Sequence, residues 1–447
     1  MATAKSKTAT TVLAASTASL AVVSTAAPKL PEIHDAAHQT KLLRDALESD
    51  KVRIGYFLGA GCPLGIFDEK GDKSLRHIPD VAGLTSKVRE GLVASDRGKG
   101  PDELATPLWD KLVDACKAGA ISIPNVEHIL SELRTLCARR GTTEVDGMAK
   151  SRLIELDAAI CDLIASEVGR ALPSHRCAYH RFASWVGGLQ RIAPVELFTP
   201  NYDLLLEEAF EQQRIPHFDG FVGAREPFFD LASIEQDAIP GRWTRLWKLH
   251  GSINWQKRDD GGVFRVAGKA AAGKAMIYPS HLKYDQSRRM PYLAMLDRLK
   301  AFFRAGGHAQ GFGPPVLVVC GYSFCDDHLN EVLLDGLRGN RSAQCFVLAY
   351  ESLSKIRALV DLAVRQPNLS VIAWDGAVVG TREGAYRNGH KPDLINEPWL
   401  WLEIVAGTPP SGDAESIRCR LGDFHFLSLF LEHLCGGNTN DHTHNPT

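Results

Sequence analysis

Four short segments of this chain carry residues whose types and spacing could do chemistry. Gly59-Ala60-Gly61 ends the apolar run Val52 to Leu58. Its missing side chains would let backbone N–H groups approach a pyrophosphate. Thr199-Pro-Asn201-Tyr-Asp203 follows the run Val195 to Phe198 and offers a carboxamide and a carboxylate. His250 follows Leu246 to Leu249 and precedes Gly251. An unperturbed imidazole titrates near neutrality, so it suits proton transfer. Gly321-Tyr-Ser323 follows Val316 to Val319 and leads into Asp326-Asp327-His328. Each segment also has a plainer reading taken singly. Gly-x-Gly serves as a tight turn, Asn201 or Asp203 caps the next helix, His250 is a structural histidine, and 326–328 is a turn with a helix cap.

The elements that must position these residues follow from periodicity. The β-rich apolar runs above are joined by Met276 to Tyr278, Cys345 to Leu348 and Val371 to Trp374. Helical patterns follow Asp203, Asp326 and Glu351, and Leu204 to Gln213 is the first of them. Strands alternating with helices predict parallel βαβ units, hence an α/β fold with a Rossmann-like, doubly wound parallel sheet. Ligands of such sheets sit outside the carboxyl ends of the strands, where the four segments fall. His38 to Ser49 predicts a short helix with Leu42, Leu43 and Leu47 on one face. Between about 84 and 190 the spacing is helical throughout, as in Val126 to Leu133 and Leu153 to Val168, which predicts a large helical insertion. The expected organisation is a flexible leader over 1–35, a nucleotide-binding domain over 36–385 and a tail over 386–447. The tail holds Trp399, Trp401 and a final helix over Ser416 to Leu434, and is a candidate for oligomerisation or partner docking.

Composition narrows the classes. The 447 residues carry a formal net charge of −2, which gives no global pull toward nucleic acid or an anionic membrane. No window approaches the ~20 apolar residues of a membrane span. Thr11 to Ala27 is Ala-, Ser- and Thr-rich after Lys5 and Lys7 but is interrupted by Ser16, Thr17 and Ser19. It predicts a disordered leader in preference to a signal peptide. The 10 cysteines include no Cys-x-x-Cys pair, so neither a zinc ribbon nor a thioredoxin-type site is encoded. They fit a reduced, cytoplasmic protein.

Taken together, Gly-Ala-Gly, Thr-x-Asn-x-Asp, His-Gly and Gly-x-Ser, each at a predicted strand end, resemble the sirtuin family over roughly residues 50 to 350. The resemblance implies that Gly59, Ala60 and Gly61 hold the pyrophosphate of NAD. It places Asn201 at the nicotinamide ribose and Asp203 at the carboxamide, with Thr199 beside them. His250 would be the general base, and Gly321 and Ser323 would line the phosphate and adenosine ribose. Ile78-Pro79-Asp80 is similar to the segment that closes over the nicotinamide, although Val81 and Ala82 stand where the family has Phe and Arg. Pro200 likewise stands where it has Gln.

Protein-deacylating sirtuins share a four-cysteine zinc module, yet no cysteine lies between His250 and Cys320. No zinc is therefore expected. Pro124-Asn-Val-Glu-His-Ile-Leu, Phe198-Thr-Pro-Asn-Tyr-Asp-Leu-Leu-Leu-Glu and Leu249-His-Gly-Ser-Ile-Asn-Trp resemble the bacterial sirtuin-like NAD hydrolases of antiphage defence. A homo-oligomer is expected because an unrestrained NAD hydrolase would deplete its own host, and the resemblance itself implies NAD as substrate. It also implies a separately encoded partner, a HerA-type ATPase first and a short Argonaute second, with no direct nucleic-acid or membrane binding. A protein deacylase or ADP-ribosyltransferase, and a non-catalytic binder of NAD or ADP-ribose, are the alternatives.

Overall fold

In the computed structural model the described residues are 31–67, 77–119, 121–139, 144–145, 148–236, 238–258, 262–268, 270, 276–277, 291–304, 313–387, 401–405 and 416–436. The leader through residue 30, Tyr278 and Trp399 lie outside them.

Six parallel strands form the heart of a 10-stranded sheet. They are β1 (Arg53–Leu58), β2 (Glu196–Thr199), β3 (Thr244–Lys248), β4 (Pro315–Cys320), β5 (Gln344–Leu348) and β6 (Leu369–Ile372). Across the sheet they run β3-β2-β1-β4-β5-β6, all neighbours parallel. The chain thus works outward from β1 in one direction, returns, and works outward in the other. The reversal falls between β1 and β4, which is where a doubly wound sheet opens a crevice for ligand.

Strand geometry explains the two-sided core. Successive side chains of a strand point to opposite faces. Tyr56, Leu58, Leu197, Val318 and Cys320 enter one apolar layer, whereas Phe57, Phe198, Leu317 and Val319 enter the other. The first layer is covered by α1 (Ala36–Glu48), α2 (Val81–Ser95), α3 (Thr106–Ala118), α4 (Val126–Ala138), α5 (Lys150–Val168), α6 (Ala178–Gly188) and α7 (Leu205–Gln212). The second is covered by α8 (Tyr292–Phe303), α9 (Asp327–Gly339) and α10 (Arg357–Ala363). The helical insertion is therefore α2 to α6, running between β1 and β2.

Three expectations need correction. In α1, Leu43 and Leu47 are fully buried but Leu42 is exposed. Met276–Ile277 does not join the main sheet; it pairs antiparallel with Gly251–Ser252, just beyond His250. Residues 416–434 are not one helix, because Ser416–Cys419 pairs as a strand with Leu402–Val405 and only Phe424–Leu434, α11, is helical. Gly422 separates them; a Cβ there would lie 2.2 Å from the Ala349 carbonyl carbon. Tertiary pairing outweighs the apolar period over 416–419.

The tail residues Trp401, Phe424, Leu427, Phe430 and Leu431 are buried in the same apolar layer as β1 and α6. Phe424 meets Tyr179 and Phe182 edge-on or tilted, with ring centroids 5.0 and 5.6 Å apart. These five residues belong to the core of the chain itself. Among the described residues, no helix is long and apolar enough to cross a membrane, and all ten cysteines are unpaired.

Candidate active site

The site begins where the loops after β1 and β4 meet. Gly59 N donates to Cys320 O at 2.9 Å, and Gly61 N donates to Gly321 O at 2.8 Å. A Cβ on Gly59 would lie 2.4 Å from the Gly321 oxygen, and one on Gly321 would lie 2.6 Å from Cys62 N. Gly321 also sits at φ +67, the left-handed region open mainly to glycine. The three glycines thus allow a close backbone approach, but the backbone approached is that of the partner loop. Gly59 and Gly61 spend their N–H groups on it, with half-buried Ala60 between them. Behind the loop, Gly65 abuts α11, where a Cβ would meet His425 N at 2.8 Å.

Thr199 ends β2, and its buried hydroxyl donates to Leu58 O at 2.7 Å. The same oxygen accepts from Asn201 N at 3.1 Å. These two bonds fix the turn, and Asn201 Nδ2 then donates to Gly59 O at 3.1 Å. Asn201 is therefore joined directly to the glycine loop.

Asp203 is buried behind it. Its Oδ1 accepts from Leu205 N at 3.1 Å, a turn bond just before α7, whose N-cap is Leu204. Lys248, the last residue of β3 and almost fully buried, donates to the Asp203 carbonyl and to Glu207 Oε1, the latter at 2.9 Å. Burial raises the Asp203 carboxyl from 3.8 to about 6, against the pull of the Lys248 ammonium and with the help of the Glu207 charge. A carboxyl that titrates there can donate or accept a hydrogen bond near neutral pH.

His250 follows β3 and is buried. Its Nε2 lies 3.1 Å from Asp326 Oδ2. Asp326 caps α9, its Oδ1 accepting from His328 N and Leu329 N, both at 3.2 Å. The residue types alone offered only the capping role, because nothing in them shows that the ends of β3 and β4 meet. Asp326 is the site residue that sequence reasoning missed.

The helical insertion also reaches the site. Tyr202, between Asn201 and Asp203, donates its hydroxyl to Glu127 Oε1 at 3.4 Å. Glu127 belongs to the first turn of α4, whose N-cap is Asn125, so α4 is tied to the Asn201 turn through Tyr202. The remaining candidates lie at the margins. Asp80 caps α2, its Oδ1 accepting from Gly83 N at 2.8 Å. Ser323 is exposed on the loop beyond Gly321. Among the described residues, no group of three or more His, Cys, Asp or Glu is placed to hold a metal.

Strand order, its reversal between β1 and β4, and the polar residues at the carboxyl ends define a Rossmann-like α/β protein. Residues 195–372, from the start of β2 to the end of β6, match the family model described as SIR2-like domain. That match supports a Sir2-like family and, broadly, an NAD-related function. No curated protein sequence matches it.

Proposed function

We propose that the chain is an NAD glycohydrolase, cleaving the nicotinamide–ribose bond to give nicotinamide and ADP-ribose. The observation that carries this reading is the placement of Asn201 and His250 at the ends of neighbouring strands β2 and β3, within the SIR2-like match. The C1′–N bond breaks and its electron pair leaves with the pyridine nitrogen, so nicotinamide departs neutral and needs no acid. Asn201 orients the ribose and a water. The water oxygen bonds C1′, and His250 accepts its proton, which is later released to solvent. Asp203 serves the carboxamide of the nicotinamide, and the paired glycine loops face the pyrophosphate.

The phrases that resemble those of antiphage NAD hydrolases extend this reading to depletion of cellular NAD during infection. An unrestrained NAD hydrolase would harm its own host. We therefore infer a homo-oligomer controlled by a separately encoded partner, a HerA-type ATPase before a short Argonaute. The test is nicotinamide release from NAD by purified protein, with and without each candidate partner, beside H250A and a deacetylation assay on an acetyl-lysine peptide. Cleavage by the native chain and loss of about 10²-fold or more in H250A is the expected result. Equal release by a folded H250A, or deacetylation in place of hydrolysis, would overturn it.

A further inference from the structure

We propose that Asp326 is the positioning partner of His250 and stabilises the imidazolium formed when His250 takes a proton; the role in turnover rests on the glycohydrolase reading. The pair is improbable by chain position alone. His250 lies beyond β3 and Asp326 beyond β4, with β2 and β1 between them. Three strand spacings of about 4.8 Å separate the two strands by roughly 14 Å, yet Nε2 and Oδ2 are 3.1 Å apart. Both loops lean over the crevice to make that contact.

The loop carrying Asp326 is braced for it. Phe324 takes φ +57, a conformation that costs a bulky residue about 1–2 kcal/mol. It is held there by Asn330 Nδ2, which donates to Phe324 O at 2.7 Å. Tyr322 spans the turn, its hydroxyl contacting Asp326 O at 3.2 Å and Asn330 Oδ1 at 2.9 Å. Oδ1 caps α9, and Oδ2 is turned to His250. The positive end of α9 favours the carboxylate as an anion. Asp326 therefore fixes the ring's rotation, holds the proton on Nε2 in the resting enzyme, and balances the charge as water is deprotonated, without itself taking the proton.

The test is D326N. Asparagine caps helices as well as aspartate, so the fold is kept. With Oδ1 still bound to the helix N–H groups, the new amide nitrogen would face Nε2 and force it to accept, leaving the ring in the wrong tautomer. Nicotinamide release should fall about 10²–10⁴-fold in kcat with KM little changed. Nitrogen-15 histidine spectra of the full chain should show the His250 proton moving from Nε2 to Nδ1. Wild-type or higher activity in D326N, as expected if the pair merely clasps the crevice shut, would overturn the proposal. So would an unchanged tautomer. If the native chain releases no nicotinamide, the glycohydrolase reading fails, and the tautomer result alone decides whether Asp326 governs His250.

Discussion

Asn201 Nδ2 donates to the carbonyl of Gly59 across 3.1 Å, so the residue assigned to the ribose is also a strut of the glycine loop. The two roles separate by substitution. N201A removes the donor and should cost about 1 kcal/mol of stability but about 10²-fold or more in nicotinamide release. N201D keeps the size and sets a carboxylate oxygen against the Gly59 oxygen. It should lower stability further, by about 1–3 kcal/mol. Urea denaturation and nicotinamide assays on both variants would check this. Wild-type turnover by folded N201A would remove Asn201 from the mechanism.

Gly321 presents a different case, because its conformation and its surroundings both exclude a side chain. Its φ is +67, and a Cβ would lie 2.6 Å from Cys62 N and 2.8 Å from Cys62 Sγ. G321A should destabilise by more than about 2 kcal/mol, from the left-handed backbone penalty together with overpacking. It should also spread the two loops and weaken NAD binding. G98A is the control, since Gly98 has φ +81 with open space around the Cβ position. It should cost about 1–2 kcal/mol of stability and leave NAD affinity unchanged. Denaturation and calorimetry on the two variants separate backbone strain from loop contact.

The fold was legible in the sequence wherever a run was long and apolar. Strands such as Pro315–Cys320 are buried on both faces, and such strands are written as continuous hydrophobic stretches. The placement of Asn201 and His250 at strand ends was legible because they stand one to three residues beyond such runs. Met276–Ile277 was misplaced because a two-residue strand has no period to read. Ser416–Cys419 was misread because its partner strand, Leu402–Val405, is a tertiary choice. Asp326 was hidden for the same kind of reason: helix capping explains the residue locally, while its contact with His250 depends on strand order. The burial of Phe424 could not be read from the tail, because the surface it packs on is formed by Tyr179 and Phe182 of α6.

Asp203 gives a pH-dependent expectation. Its folded-state value is raised to about 6 from 3.8, so the folded chain holds this proton more tightly than the unfolded chain does. The stability this contributes is complete below about pH 4 and is lost as pH rises through about 6. A shift of about two units corresponds to roughly 3 kcal/mol. D203N keeps an Oδ1 acceptor for Leu205 N but carries no charge. Relative to the native chain it should gain stability between pH 4.5 and pH 7.5, by roughly 2 kcal/mol, because part of the contribution is already lost at pH 4.5. Denaturant midpoints at the two pH values decide it; a constant difference would mean that Asp203 does not titrate in this interval.

The tail should prove indispensable to folding. Trp401, Leu421, Phe424, Leu427, Phe430 and Leu431 are all buried in the layer shared with β1 and α6. Trp401 packs edge-on to Phe430 with centroids 5.0 Å apart, and Glu432 pairs with Arg176 and Arg181 across the α6–α11 seam. At roughly 1.5–3 kcal/mol per buried side chain, these six contribute at most about 9–18 kcal/mol. A whole domain is stable by only about 5–15 kcal/mol. A chain ending at Tyr386 would also uncover Tyr179 and Phe182. It should lose cooperative unfolding and aggregate, instead of dissociating into tidy monomers. L427D in the full chain, which places a charge at a fully buried position, should cause the same loss of cooperativity. Light scattering and thermal melts would check both. A truncated chain that melts cooperatively at the native temperature would show that the tail is a docking element after all.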